Sequence, residues 1–384
     1  MPYDFNTIID RHGSNSVKWE TDRNVIPMWI ADMDFRVPEA VINAFQKRAA
    51  HGIFGYARVP EAFYDSLTGW FERRHDWKIR RDSILYTTGV VAAVSAVIKA
   101  IAKPGEGVIV LTPVYNCFFS SIRNMGCTAV CSPLLENNGV YSIDFDDLEK
   151  KASEPNNKIL LFCSPHNPAG RVWTAEELKR VGEICFKNGI RIIADEIHCD
   201  LVFKPHRYIP FAKVHEQNAS QIVTCLAPSK TFNLAGLHVA NIVADDPELR
   251  KKIDKVLNIH EVCDLNAFAI EAQIAAYNGG DGWLNALLDY LQENYQYVVT
   301  FFAKHIPAVK VIPLEGTYLV WLDCRALKRQ SADITRQLKK EARVWLNEGT
   351  LYGDAGEGFI RLNIACPRSI LHEALTRIQT PLSS

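Results

Sequence analysis

Between Ser83 and Val243 short apolar runs alternate with amphipathic stretches, and that alternation constrains the fold more than any single motif. Ile84–Thr87, Val108–Leu111, Cys127–Val130, Lys158–Phe162, Arg191–Ala194, Ile222–Leu226 and Val239–Val243 read as strands. Lys158-Ile159-Leu160-Leu161-Phe162 is almost continuously apolar, as expected of a strand covered on both faces. Val90–Ile101, Asn116–Asn124 and Asp144–Ala152 carry helical periodicity, and Thr174 with Glu177 three residues on opens a further helix as a capping box. Strands separated in this way predict an α/β domain with a mostly parallel sheet.

The flanks differ. Residues 1–36 fit neither period and read as an irregular, aromatic-rich arm; helices are expected after Pro38 and over Glu61–His75. Helices Pro247–Leu257 and Leu265–Tyr277 close the alternating region, and a long amphipathic helix follows over Trp283–His305. Beyond Pro307 strands dominate, at Val309–Ile312, Thr317–Leu322 and Phe359–Asn363, with helices at Ala332–Arg343 and Arg368–Gln379. We therefore expect a large domain over residues 48–285 and a smaller α+β domain formed by 1–47 and 286–384.

Composition narrows the function classes. The 384 residues are 48% hydrophobic and carry a net charge of −1, which leaves no broad footprint for nucleic acid or an anionic membrane surface. No apolar run reaches the length of a spanning helix, and Met1–Asp10 lacks the basic-then-apolar pattern of a secretory signal. The ten cysteines form no CxxC pair, and adjacent His198 and Cys199 suit one tetrahedral centre poorly, so we expect reduced cysteines in a cytoplasmic protein and no metal site.

In open α/β sheets, ligands sit beyond the carboxyl ends of the strands. Five strand-like segments end in residues with chemistry. Thr87-Thr88-Gly89-Val90-Val91 offers a glycine turn and free helix N–H groups, a natural phosphate cradle. Pro113-Val114-Tyr115 places a ring that could stack on a flat cofactor. Ser164-Pro165-His166-Asn167-Pro168 holds an amide on a proline-stiffened loop. Asp195 ends an apolar strand, where a carboxylate needs a cation. Ser229-Lys230-Thr231 supplies an amine in partly apolar surroundings, which favour its neutral, nucleophilic form. Each alone could be an ordinary turn; together they match the needs of pyridoxal 5′-phosphate (PLP): an amine for the aldehyde, an acid for the ring nitrogen and donors for the phosphate.

The residues also resemble a known family, the fold-type I PLP enzymes of the aminotransferase class I/II superfamily, and within it the cystathionine β-lyase or C–S lyase branch (MalY/PatB type). Pro27–Phe35, Pro165–Trp173, Asp195–Leu201, Ala227–Leu237 and Gly358–Arg368 carry the likeness. It implies a three-layer αβα PLP-dependent transferase-like large domain. It also implies that Lys230 carries the cofactor, that Asp195 pairs with the pyridine nitrogen, that Asn167 bonds the ring hydroxyl and that Tyr115 stacks. Gly89, Val90, Val91 and Ser229 would hold the phosphate. His198 stands where transaminases have tyrosine, as the lyase branch does, and His238 stands where many relatives have a phosphate-binding arginine. Arg361 would clamp the substrate carboxylate, with Trp29, Asp32, Asp34 and Tyr56 as pocket walls. Tyr56 resembles a residue that reaches the neighbouring subunit's phosphate, which implies a homodimer with shared sites. The implied activity is α,β-elimination of cystathionine or other cysteine S-conjugates to a thiol, pyruvate and ammonia. An aminotransferase uses the same parts, and a non-catalytic PLP-binding regulator is a further alternative.

Overall fold

A computed structural model describes residues 3–383; Met1 and Pro2, at the start of the arm, and Ser384 lie outside the described residues. The seven expected strands form one sheet: β1 (Ile84–Thr87), β2 (Gly107–Thr112), β3 (Thr128–Pro133), β4 (Asn157–Cys163), β5 (Arg191–Asp195), β6 (Ile222–Leu226) and β7 (Ala240–Ala244). Their order is β1-β7-β6-β5-β4-β2-β3. β7 runs antiparallel to both its neighbours, and the other pairs are parallel. The carboxyl ends of β1, β2, β4, β5 and β6 therefore share one edge. All residues of β2, β6 and β7 are buried, as the apolar runs require of a sheet between two helical layers.

Local signals set most boundaries. The helix Ala175–Lys187 begins at Thr174 with both bonds of the capping box present. The helix Val90–Ile101 begins after Gly89, whose φ of 136° suits glycine, and no side chain caps it. Residue 48 falls inside the helix Glu39–His51, which packs against the helix Ala267–Gly279.

The C-terminal part holds a second sheet of β8 (Lys310–Val311), β9 (Leu319–Asp323), β10 (Asn347–Glu348) and β11 (Phe359–Asn363), ordered β8-β9-β11-β10 and antiparallel throughout. The 25-residue helix Asp281–His305 runs ahead of it. The arm joins this part: Ile26–Pro27 pairs in parallel with Val344–Trp345. One hairpin lies outside the sequence expectations, Leu135–Asn137 with Val140–Ser142. Among the described residues no helix is long and apolar enough to cross a membrane, and all ten cysteines are free.

After β10 the chain turns through Gly349, where a Cβ would lie 1.9 Å from the Gly356 carbonyl oxygen. This tight approach shapes the turn that carries Tyr352. Gly349→Ala should therefore cost about 1–3 kcal/mol, read as a lower thermal unfolding midpoint.

Candidate active site

A cavity of about 590 Å³ opens at the shared strand edge. Its wall includes Trp29 from the arm, Gly89, Val90 and Val91 after β1, Tyr115 after β2, Asn167 after β4, Asp195 and His198 from β5 onward, Ser229 and Lys230 after β6, and Arg361 from β11. Three expected pocket residues lie elsewhere. Asp32 is absent from the wall because Arg11 holds its carboxylate, with nitrogen–oxygen contacts of 3.0 and 3.2 Å. Asp34 is likewise held by Lys18 at 2.7 Å, Arg11 at 2.9 Å and the Trp19 indole at 2.7 Å. Tyr56 is 106% exposed and lies at a separate surface hollow with Phe54 and Phe268, so it does not reach the cavity of its own chain.

Lys230 donates from Nζ to the Ala31 carbonyl at 2.7 Å. Burial pushes its ammonium down to about 8, with Asp32 opposing and Arg361 reinforcing the change. Burial pushes the Asp195 carboxyl up to about 7, against a hydrogen bond from the Ile197 N–H at 3.2 Å and the charge of Lys230. His198 is pushed down to about 3, first by burial and then by Lys230 and Arg361, so it is a neutral imidazole; its buried Nδ1 has no hydrogen-bond partner.

Arg361 is 4% exposed, yet among the described residues it has no carboxylate partner. Its Nη1 donates to Asn167 Oδ1 at 3.0 Å, Nη2 donates to the Trp29 carbonyl at 2.8 Å, and Nε is buried without an acceptor. The guanidinium carbon lies 4.8 Å from the centre of the Tyr352 ring. A buried guanidinium satisfied only by neutral groups is prepared for an anion. Because Arg361 takes Asn167 Oδ1, the Asn167 Nδ2 donor is left for a ligand. Beside it, His166 donates from Nε2 to the Pro113 carbonyl at 2.8 Å and braces the loop.

Several contributors carry no local sequence signal. Asn347 donates to the Trp29 carbonyl at 2.9 Å and to the Tyr352 hydroxyl at 3.0 Å. Asn363 donates to the carbonyls of Ile30 and Asp32 at 2.7 and 2.8 Å. Asn233 is the partial exception: an asparagine shortly after the reactive lysine, in left-handed backbone at φ 58°, marks a local constraint. It bonds the Met33 and Phe35 carbonyls, each at 3.0 Å.

Residues 23–378 match aminotransferase class I and II. The chain belongs to that family. It is 41% identical over 380 residues to cystathionine β-lyase PatB of Bacillus subtilis, covering 97% of this chain and 98% of the relative. Cystalysin from Treponema denticola, whose structure contains PLP, superposes with a TM-score of 0.96 at 37% identity over 100% of this chain and 99% of that one. The PLP-bound C–S lyase from Staphylococcus hominis gives 0.93 at 34% identity, over 99% of each chain. The fold is that of the fold-type I PLP transferases.

Asp195 provides a test of the electrostatics. Its native acid constant, about 7, lies above its unfolded value of 3.8, so its ionisation costs stability as pH rises from 3.8, in full above about 7. In cofactor-free protein, Asp195→Asn should stabilise relative to wild type, and the gain should grow by about 3 kcal/mol between pH 5 and pH 8. Urea unfolding at the two pH values measures it.

Proposed function

We propose that this protein is a PLP-dependent C–S β-lyase that cleaves cystathionine and related cysteine S-conjugates to a thiol, pyruvate and ammonia. The observation that carries the reading is the set of charges around one cavity: a lysine amine lowered to about 8, a buried aspartate with no ion-pair partner among the described residues and a buried arginine with no carboxylate partner among them.

These residues fit PLP. Lys230 would hold it covalently, and Asp195 would meet the protonated ring nitrogen, the counter-charge that its buried carboxylate lacks. Asn167 Nδ2 would donate to the ring hydroxyl, His198 would lie beside the ring, and Tyr115 would stack on it. Gly89, Val90 and Val91 present an uncapped helix start with no acidic residue in its first turn, suited to a phosphate together with Ser229. PLP supplies the electron sink when bound.

The chain's own residues do the rest. Arg361 clamps the substrate α-carboxylate through its fork of N–H donors. Lys230, once its amine is free, takes the proton from substrate Cα. Burial raises the Tyr115 phenol well above its ordinary range, so it keeps its proton and can offer a hydrogen bond to the departing sulfur. Cystathionine releases homocysteine, and cysteine releases sulfide. Trp29 walls the cavity beside the Arg361 fork and stacks on Trp345 with ring centres 4.6 Å apart. Asp32 acts at longer range, as a charge that opposes the lowering of the Lys230 acid constant.

The same reading makes the protein a homodimer with shared sites, supported by the exposed apolar stretch Ile53, Phe54 and Tyr56, in which Tyr56 is free to reach a partner's phosphate site. It divides the chain into a cofactor-binding body on the seven-stranded sheet, residues 48–285, and a smaller part from 1–47 and 286–384. Ten free cysteines support a reducing, cytoplasmic setting.

Purified holoenzyme given cystathionine and no keto-acid acceptor should release pyruvate; a strict requirement for an acceptor would instead mark an aminotransferase. Lys230→Ala should abolish both turnover and the visible absorbance of lysine-bound PLP. Arg361→Lys should lower kcat/KM about 10- to 100-fold, the equivalent of one charge-assisted bond of roughly 1.5–3 kcal/mol.

A further inference from the structure

Next in sequence to Lys230 and Asp195 lies a second buried polar cluster that the proposed mechanism does not use. Thr231, directly after Lys230, is fully buried and donates from Oγ1 to Asp200 Oδ2 at 2.9 Å. The Trp70 indole N–H reaches both Asp200 oxygens, at 3.0 and 3.2 Å, and His75 Nε2 lies 2.7 Å from Oδ1. Trp70 and His75 belong to one helix, Glu61–His75. Burial pushes the Asp200 carboxyl up, but the bonds from His75 and Thr231, with the nearby charges of His75 and Arg74, hold it below its ordinary value. Asp200 is therefore a buried anion whose donors are all supplied by protein.

The cluster also touches the aspartate side of the site. Glu196, directly after Asp195, accepts from the Tyr208 hydroxyl and from the Phe211 N–H at 2.8 Å. The Tyr208 ring meets His75 edge-on, with centres 4.9 Å apart. Trp70 packs at the same time on Phe232, two residues after Lys230, at 5.4 Å. The residues that follow Lys230 and the residues that follow Asp195 are thus held by one connected cluster.

We propose that Asp200, with His75 as its hydrogen-bond partner, is a positioning residue that sets Lys230 relative to Asp195 through the Thr231 hydroxyl. A metal role is not the better reading. His75, Cys199 and Asp200 do place ligand atoms within 4.8 Å of one another, but both Asp200 oxygens already face N–H or O–H donors. A carboxylate bonded in this way fixes loop geometry in a dry interior, where small displacements of a reacting group cost large factors in rate.

This inference rests on the reading that Lys230 carries PLP, which Lys230→Ala tests separately. In holoenzyme, Thr231→Val keeps the side-chain volume and removes the donor. It should lower kcat on cystathionine on the order of 10-fold or more, with KM changed less than about twofold. It should also move the pH midpoint of the visible absorbance of lysine-bound PLP by roughly half a unit or more. Thr231→Ser, which keeps the donor, should restore both, and Asp200→Asn should reproduce the Thr231→Val changes. A Thr231→Val enzyme with wild-type midpoint and kcat would overturn the proposal, as would a Thr231→Ser enzyme impaired to the same degree.

Discussion

Two cations, partly buried Lys230 and buried Arg361, and one buried anion, Asp195, are kept from pairing with one another. Lys230 and Arg361 each spend a donor on a main-chain carbonyl of the arm, at Ala31 and Trp29, while Asp195 accepts a single backbone N–H. A neutral dipole offsets a buried charge less completely than a counter-ion does. The site therefore holds unbalanced electrostatic energy, visible in the lowered lysine and the raised aspartate. Such an arrangement persists only if the surrounding structure prevents the three groups from collapsing together.

The fold supplies that restraint by placing each charge on a different rigid element. Asp195 ends a central strand, Lys230 follows the neighbouring strand, and Arg361 stands on a strand of the other sheet. The arm backbone crosses between them and is fixed from several directions: Lys18 donates to the Asp32 carbonyl, Asn233 holds Met33 and Phe35, and Asn347 and Asn363 hold Trp29, Ile30 and Asp32. The arm has little regular structure, yet it is positioned by side-chain bonds from both sheets. Its carbonyls can therefore serve as fixed acceptors for the two cations.

The sequence makes some of this legible and hides the rest for physical reasons. Strands such as Lys158–Phe162 and helices such as the one after Thr174 are encoded by nearby residues, through apolar runs and caps, and the structure reproduces them. Strand-end residues such as Asp195 and Lys230 are legible because topology brings strand ends together. The hairpin at Leu135–Ser142 also had a local signal, Asn138-Gly139, both at positive φ. The roles of Asn347, Asn363 and Asp200 depend on partners far away in the chain, so nothing beside them announces what they do. Asp32 misleads for the same reason: its sequence neighbours suggest a pocket wall, but Arg11, 21 residues earlier, claims its carboxylate.

Burial keeps two histidines near the site neutral. Burial pushes His166 down to about 4 and His198 to about 3, so neither carries charge at neutral pH. Arg361 and, in part, Lys230 then carry positive charge beside them. Residue 238 is an exposed histidine rather than an arginine, so under the proposed reading a phosphate would rely on the N–H groups at the start of the helix Val90–Ile101 together with Ser229. Those donors are fixed by the backbone and do not titrate. A phosphate held by neutral dipoles would leave Arg361 available for a substrate carboxylate, and a neutral His198 near Lys230 adds no positive charge to the burial that already lowers its amine.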